Sequence, residues 1–404
     1  MAADDAPRLT VVFVDDEPNV LDGLRRTTRR FRTTWDTHFA DSGPAALEVI
    51  AGLPRVDVLV TDMRMPGMDG AELLSHVRDR WPTVARIILS GQSDHDAVFR
   101  AIGPAHQYLA KPCDVDALAA VIGRLDAGSC PAVVDPVRTL IGRVDRLPAL
   151  PEQYQRLTEQ LGSPTARLAD IAAVIADDIA LTAEVLRVVN SAFFGLYGTV
   201  HSVESAVSLL GIDVVRGIVL GSKLFDVPGG RSGWLDLRAL GTRSRSVASA
   251  ARGTALRLGA EHTAAAAAFL AGMVSEIGLL VMAQIETGSD FAGEINRGGA
   301  VDLDDERRHF GGDRFQVGAH LLGLWGFDEV VVQAVCGLGA LRCGDDPLSR
   351  AVCAARRLVF DAGVDPVALA DPREPIPAVD AVLAAPSSPG CAATSADQDA
   401  GVAP

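Results

Sequence analysis

Three aspartates, a serine and a lysine in the first third of this chain are of the types that phosphoryl chemistry needs: Asp15, Asp16, Asp62, Ser90 and Lys111. Asp15-Asp16 closes the apolar run Val11–Val14, and Asp62 follows Val58–Thr61. Ser90 closes Ile87–Leu89, and Lys111-Pro112 follows Tyr108–Ala110. Carboxylates gathered at one place repel one another unless a cation sits among them. A hard, oxygen-seeking Mg²⁺ that keeps several of its waters suits such a set. It would neutralise an incoming phosphoryl group and leave one carboxylate as nucleophile, while a hydroxyl and an ammonium hold the remaining oxygens. The lysine is informative because lysine is scarce here: of 37 basic residues only Lys111 and Lys223 are lysines.

Each residue alone has a bland explanation, since an acidic pair after an apolar run is common and an Asp before Met-Pro can simply shape a turn. The case depends on the elements that position them. Strands are predicted at Leu9–Val14, Trp35–Ala40, Val56–Thr61, Ala85–Ser90 and Gln107–Ala110. Several are apolar throughout, as strands buried on both faces of a parallel sheet are. Between and after them, helical patterns run over Asn19–Arg30, Pro44–Ala51, Ala71–Arg80, Asp94–Ile102 and Val115–Leu125. Strict alternation of five strands with five helices predicts a doubly wound α/β domain with a parallel sheet. Such sheets bind ligands beyond the carboxyl ends of their strands. The five residues fall there, on four different strands.

These stretches resemble the receiver domain of bacterial two-component response regulators: VVFVDDEPNVL (11–21), LVTDMRMPGMDG (59–70), IILSGQ (87–92) and YLAKP (108–112). The resemblance covers residues 8–125 and implies a flavodoxin-like five-stranded sheet, with a histidine kinase as phosphoryl donor. It makes Asp62 the phosphoacceptor and Asp15 and Asp16 the acids on the Mg²⁺ side, with Arg64 lending its backbone carbonyl to the metal. Ser90 becomes the hydroxyl switch, Lys111 the phosphate-pairing lysine and Tyr108 the rotameric aromatic switch. Phosphorylation would then remodel the face made by the Asp94–Ile102 helix, the fifth strand and the Val115–Leu125 helix.

From residue 126 to 146 the pattern weakens around Gly128, Ser129, Pro131 and Pro136. This reads as a linker in which Val137–Val144 could form a short helix. Residues 147–345 carry helical spacing without a strand series: Tyr154–Leu161, Leu168–Ala176, Leu181–Ser191, Val203–Leu210, Val214–Leu224, Arg243–Leu258, Ala264–Ile285 and Phe315–Trp325. An all-α domain is expected, closed within 346–370 by a helix over Leu348–Phe360. The Pro/Ala/Ser/Asp-rich residues 371–404 read as a disordered tail.

Within that helical region DDIALTAEVLRVVNSAFFG (177–195), SVESAVSLLGIDVVRGIVL (202–220) and VGAHLLGLWGF (317–327) resemble the HDOD domain, a signalling module related to metal-dependent HD phosphohydrolases. The resemblance implies scaffolding and partner binding. HD hydrolysis needs a histidine, an adjacent His-Asp pair and a further Asp as metal ligands. At the corresponding stretch, FLAGMVSEIGLL (269–280), this chain has Ser275-Glu276; Arg245 lies near the expected upstream histidine, and Arg314 stands where many HDOD members carry His. His201, His262, His309 and His320 show no metal-ligand spacing and read as surface or packing histidines. No metal and no hydrolase activity are expected in this domain, although Glu276 is read as half-buried in a degenerate pocket. Asn190 and Ser191 read as a helix C-cap completed by Gly195. Trp234 and Trp325 read as core anchors.

Bulk properties narrow the remaining classes. A net charge of −15 argues against a nucleic-acid binder, and the run Arg25, Arg26, Arg29, Arg30, Arg32 reads as a solvated helix flank. Asp4 and Asp5 reverse the charge of a signal-peptide start. Charges or glycines interrupt the longer apolar stretches, so no membrane span is expected. The six cysteines (113, 130, 336, 343, 353, 391) show no CxxC pairing and read as free thiols in a reducing cytoplasm. The expectation is a cytoplasmic, non-enzymatic response regulator switched by a histidine kinase and acting on an unidentified downstream protein. Homodimerisation is left open. The alternative is a receiver-controlled HD-type cyclic-dinucleotide phosphodiesterase or a degenerate nucleotide-binding relative.

Overall fold

The computed structural model describes residues 8–91, 103–112, 114–126, 135–144, 147–163, 165–191, 198–221, 235–284, 303–339 and 346–360. Strands β1 (Leu9–Val14), β2 (Trp35–Ala40), β3 (Val58–Asp62), β4 (Ala85–Gly91) and β5 (Gln107–Lys111) form one sheet. Its order is β2-β1-β3-β4-β5, parallel at every pairing. Helices α1 (Pro18–Thr28), α2 (Gly43–Gly52), α3 (Gly70–Arg80) and α4 (Val115–Asp126) accompany it. The doubly wound domain is as the alternation predicts. Winding reverses between β1 and β3, which opens the crevice at their carboxyl ends. Val11, Val12, Phe13, Leu59 and Val60 are fully buried, the mark of strands covered on both faces. The third strand starts two residues later than predicted and takes in Asp62; the fifth extends to Lys111. The predicted Asp94–Ile102 helix and Gln92 lie outside the described residues.

Among the described residues beyond α4 there is no strand. The helices are α5 (Asp135–Gly142), α6 (Pro151–Gly162), α7 (Leu168–Ala176), α8 (Ile179–Val189), α9 (Val203–Arg216), α10 (Leu237–Arg257), α11 (His262–Met273), α12 (Ile277–Met282), α13 (Leu303–Phe310), α14 (Arg314–Leu324), α15 (Glu329–Gly339) and α16 (Pro347–Phe360). α10 packs on α11 and α16, α12 on α14, and α14 on α15. Part of the expected linker is a packed element, because α5 buries Val137 and Ile141 against α12 and α14. Every residue of α8 is buried, as an all-round apolar helix requires.

The helical pattern differs from expectation where local sequence is ambiguous. The α13 sequence, LDDERRHF, is too charged to show an apolar face, and the β-branched start of α15, EVVVQAV, mimics a strand. The expected Ala264–Ile285 helix is two helices separated by a turn at 274–276. Contrary to expectation, His262–Met282 is long and apolar enough to cross a membrane, with mean hydropathy 1.9. It is broken at that turn and 89% buried, so it serves as the core of the helical bundle. The predicted helices on either side of Gly211 do meet at a break there, where the backbone leaves helical geometry at φ +76, and the second continues into a π-helical turn over Gly217–Gly221.

The free-thiol reading is corrected for two cysteines. Cys336 and Cys353, on the packed helices α15 and α16, are disulfide-bonded. Their separation in sequence carried no pairing signal, because the approach is made by the helix packing. Cys113, Cys130, Cys343 and Cys391 lie outside the described residues, as do Lys223, Gly195, Trp234 and the expected 371–404 tail.

A close helix approach in the core tests this packing. A Cβ on Gly278 of α12 would lie 2.0 Å from the Arg314 carbonyl oxygen and 2.9 Å from the Gly318 nitrogen. Gly278→Ala is expected to lower the unfolding free energy by about 1–3 kcal/mol through overpacking, read as a lower urea midpoint of the full chain. An unchanged midpoint would contradict the described α12–α14 contact.

Candidate functional site: an acidic pocket at the carboxyl edge of the sheet

The register brings the acids together. Val14 pairs with Thr61, so Asp15 and Asp62 leave β1 and β3 side by side. Lys111 ends β5 level with Gly91 and reaches back across the edge. Its Nζ lies 2.6 Å from Asp15 Oδ2 and 2.6 Å from Asp62 Oδ1. One ammonium thus bridges two carboxylates that would otherwise repel. The other oxygens are held by backbone donors: Glu17 N donates to Asp15 Oδ1 (3.0 Å), and Arg64 N to Asp62 Oδ2 (3.2 Å). Gly70, at the start of α3, lets that loop fold tightly over the site, since a Cβ there would fall 2.2 Å from the Asp62 carbonyl oxygen.

Burial shapes the charges. Desolvation raises the Asp62 pKa above the ordinary carboxylate value, against the lowering pull of Lys111. Burial would depress the Lys111 ammonium, but its hydrogen bonds to Asp15 and Asp62 outweigh that and raise it. Asp16 is half-buried. Ser90 is buried, and its Oγ has no hydrogen-bond partner among the described residues. Tyr108 is buried, with its pKa pushed up to about 12, chiefly by desolvation.

The donor set suits a hard cation in chemistry, since it offers carboxylate oxygens and the backbone carbonyl of Arg64. Among the described residues, however, no three His, Cys, Asp or Glu side chains converge tightly enough to hold a metal by themselves. Asp15 and Asp62 are joined through Lys111.

The response regulator receiver domain model matches residues 11–123, and the HDOD domain model matches residues 147–337. The chain is a receiver domain joined to an HDOD domain. Over 106 residues it is 39% identical to the hydrogenase transcriptional regulatory protein HoxA of Cupriavidus necator, covering 26% of this chain and 21% of that protein. Over 115 residues it is 38% identical to the DNA-binding transcriptional regulator NtrC of Escherichia coli, covering 28% and 24%. The chain therefore spans about a quarter of the length of these curated relatives. The MmoQ response regulator from Methylococcus capsulatus is 24% identical, covering 60% of this chain and 99% of that one at a TM-score of 0.47.

In the HDOD domain, the Ser275-Glu276 position holds an ion cluster. Glu276 is buried, where the sequence suggested half-burial. Its carboxylate is approached by Arg314 and Arg356 at 3.4 Å and by Arg243 at 3.5 Å. Arg314 Nε also donates to Glu306 Oε1 at 2.7 Å, and Arg356 stacks over Phe315 at 4.9 Å. Sequence reading singled out Glu276 and Arg314 but missed Arg243, Arg356 and Glu306, which only folding brings near. Arg245 is turned elsewhere, donating to the Asp177 carbonyl oxygen at 2.7 Å.

The other polar residues of interest have structural partners. Asn190 caps α8 and clamps Val200 through both its nitrogen and its carbonyl oxygen (2.7 and 2.8 Å), and Ser191 Oγ donates to the Val188 carbonyl oxygen. His201 meets Asp328 at 3.2 Å. Trp325 is a buried anchor as expected.

Glu276 gives a pH prediction. Burial alone would raise its pKa, but Arg356, Arg314 and Arg243 together lower it below the ordinary 4.5. A depressed carboxylate adds stability that is fully present above its unfolded pKa and is lost as pH falls through the folded value. Glu276→Gln should therefore cost stability at pH 7 by about 3–5 kcal/mol, as an uncompensated buried cluster does. It should also flatten the loss of stability below pH 4.5 relative to wild type. Parallel denaturation curves from pH 7 to 3 check both.

Proposed function

We propose that this chain is the response regulator of a two-component phosphorelay, taking a phosphoryl group from a histidine kinase onto Asp62 and signalling through a non-catalytic HDOD domain by protein contacts. The observation that carries this reading is the Lys111 ammonium 2.6 Å from both Asp15 and Asp62 at the carboxyl edge of the sheet. In the step proposed, an Asp62 carboxylate oxygen attacks phosphorus in the kinase's phosphohistidine. The N–P bond breaks, the imidazole leaves with the bonding pair, and Asp62 becomes an acyl phosphate. Partial desolvation of Asp62 leaves it less hydrated for that attack. Mg²⁺ held by Asp15, Asp16, Asp62 and the Arg64 carbonyl would supply charge neutralisation for the incoming phosphoryl group. Lys111 then pairs with a phosphoryl oxygen. Ser90 Oγ, buried without a partner among the described residues, donates to another, and Tyr108 responds as the aromatic switch.

The non-catalytic reading of the HDOD domain rests on the cluster around Glu276. Three guanidiniums crowd the position that a metal would need in an HD hydrolase, and cations repel cations. This counts against the cyclic-dinucleotide phosphodiesterase alternative. The net charge of −15 counts against DNA as the target, so the downstream partner is read as a protein, and the location as cytoplasmic.

Incubating the purified protein with acetyl phosphate and Mg²⁺ should give a single acid-stable, hydroxylamine-labile label. Asp62→Asn should abolish it, EDTA should prevent it, and Lys111→Ala should cut its rate by at least about tenfold, as expected for loss of a charge-assisted contact. Undiminished labelling of Asp62→Asn would move the acceptor elsewhere and end this assignment.

A further inference from the structure

The mechanism above makes no use of one buried charge. Arg187 lies on α8, which is buried at every residue, and its side chain is 1% exposed. Glu184, one turn earlier and equally buried, balances it at 3.2 Å. Yet the guanidinium is directed out of its own domain. Its Nη2 donates to the carbonyl oxygen of Ala105 and, at 3.0 Å, to the hydroxyl of Tyr108. Its Cζ stands 5.7 Å from the Tyr108 ring centroid and 4.5 Å from that of Trp325. The helical domain has thus placed a compensated but costly cation against the aromatic residue that the receiver uses as its switch.

Neighbouring contacts fix the same edge of the sheet. Gln107 Nε2 donates to the Leu324 carbonyl oxygen at 2.8 Å. Arg86 Nη2 donates to the Gly142 carbonyl oxygen at 3.0 Å. These bonds tie backbone of α5 and α14 to receiver side chains on β4 and β5. Neither involves a group that the receiver is expected to move. Arg187 alone among these ties grips the switch itself.

The direction of the grip is legible from the register. Ser90 pairs with Ala110, and Tyr108 pairs with Ile88. The Tyr108 hydroxyl lies 3.4 Å from the Ala105 carbonyl oxygen, towards the amino end of β5. Ser90 and the acidic pocket lie towards the carboxyl end. Tyr108 is therefore held away from the space that Ser90 would vacate on moving to a phosphoryl group.

We propose that Arg187 is a latch: the HDOD domain, docked on the receiver, holds Tyr108 in its unphosphorylated position, and filling the phosphoryl pocket releases that hold and loosens α8 from the receiver. The proposal rests on the reading of Asp62 as the acceptor. When Tyr108 turns towards Ser90, Arg187 loses a hydrogen-bond acceptor in a dry interface. The docked arrangement is then disfavoured by the worth of that bond. Linkage makes the effect reciprocal: whatever weakens the latch must tighten binding at the pocket by the same factor. A merely adhesive Arg187 would hold the domains together equally well in both states, and would leave pocket affinity unchanged.

The test uses the full chain with Mg²⁺ and beryllofluoride as a phosphoryl mimic. Affinity is measured by titration calorimetry, and amide exchange is followed over residues 103–110 and 179–191. Wild type should bind the mimic and show faster exchange in α8 at saturation. Tyr108→Phe and Arg187→Met should each bind it about tenfold more tightly, within the usual range of coupling between sites. Both should lose the exchange response, and the double variant should add nothing beyond either single change. Tyr108→Phe removes one oxygen and keeps the ring, so it stands alone if Arg187→Met fails to fold. Affinity within twofold of wild type in Tyr108→Phe, or unchanged α8 exchange at saturation, would overturn the latch while leaving the acceptor in place. Failure of wild type to bind the mimic at all would instead remove the acceptor assignment, and the latch with it.

Discussion

Charge of one sign gathered at a sheet edge must be balanced before the edge can exist, and in the receiver domain that balance is made by Lys111. The parallel pairing of β1 with β3 forces Asp15 and Asp62 together, and no rotamer choice can separate side chains that leave adjacent strand ends. The counter-charge has to come from a third element. β5 lies two strands away from β3 in the order β2-β1-β3-β4-β5, so only a long, flexible cation at its end can span the distance. Lysine, with its four-carbon stem and single point of charge, fits that need in a chain that elsewhere uses arginine almost exclusively. Arginine's rigid fork would engage one carboxylate bidentately and bridge two less readily. The residue type thus follows from the topology.

The helical domain meets the same electrostatic constraint with a different solution. Around Glu276 the charges come from α10, α14 and α16 and converge as guanidiniums on one carboxylate. Around Arg187 a single guanidinium is matched by Glu184 from its own helix. The first arrangement draws three helices together, with Glu276, Arg243 and Arg314 inside the HDOD match and Arg356 on the helix that follows it. The second is balanced locally, which frees the guanidinium's remaining hydrogens to reach the receiver. A guanidinium whose charge is already paired by Glu184 makes its bond to the Tyr108 hydroxyl as a charge-assisted donor. That separates the cluster that holds the domain together from the one placed to communicate.

Much of this was legible from sequence, and the parts that were not share a cause. The strands and the residues at their carboxyl ends could be read because short local motifs place Asp15, Asp62, Ser90 and Lys111 directly after or within apolar runs. Asp62, Ser90 and Lys111 needed only the alternation of strands and helices to be placed on one edge. The arginines around Glu276 come from positions 243, 314 and 356 and have no common local pattern; packing alone unites them. The same holds for Cys336 and Cys353, which helix packing brings together. α13 and α15 escaped notice for the opposite reason: their local composition, charged in one and β-branched in the other, points away from the helix that tertiary contacts impose.

Arg187 is the clearest case of information carried by context. Within 177–195 it is one basic residue in an apolar helix, and at surface exposure it would be unremarkable. Helical spacing places Glu184 one turn before it, a pair that on an exposed face contributes a few tenths of a kcal/mol. Burial of the whole helix changes the meaning of that pair, because a charged side chain in a dry interior must be satisfied by every neighbour it has. Besides Glu184 and the Trp325 ring in its own domain, the guanidinium meets the carbonyl of Ala105 and the hydroxyl of Tyr108, both in the other domain. One sequence window holds Tyr108 and a second holds the helix that carries Arg187. Their connection is a property of the docked pair, made where Arg187 meets Tyr108.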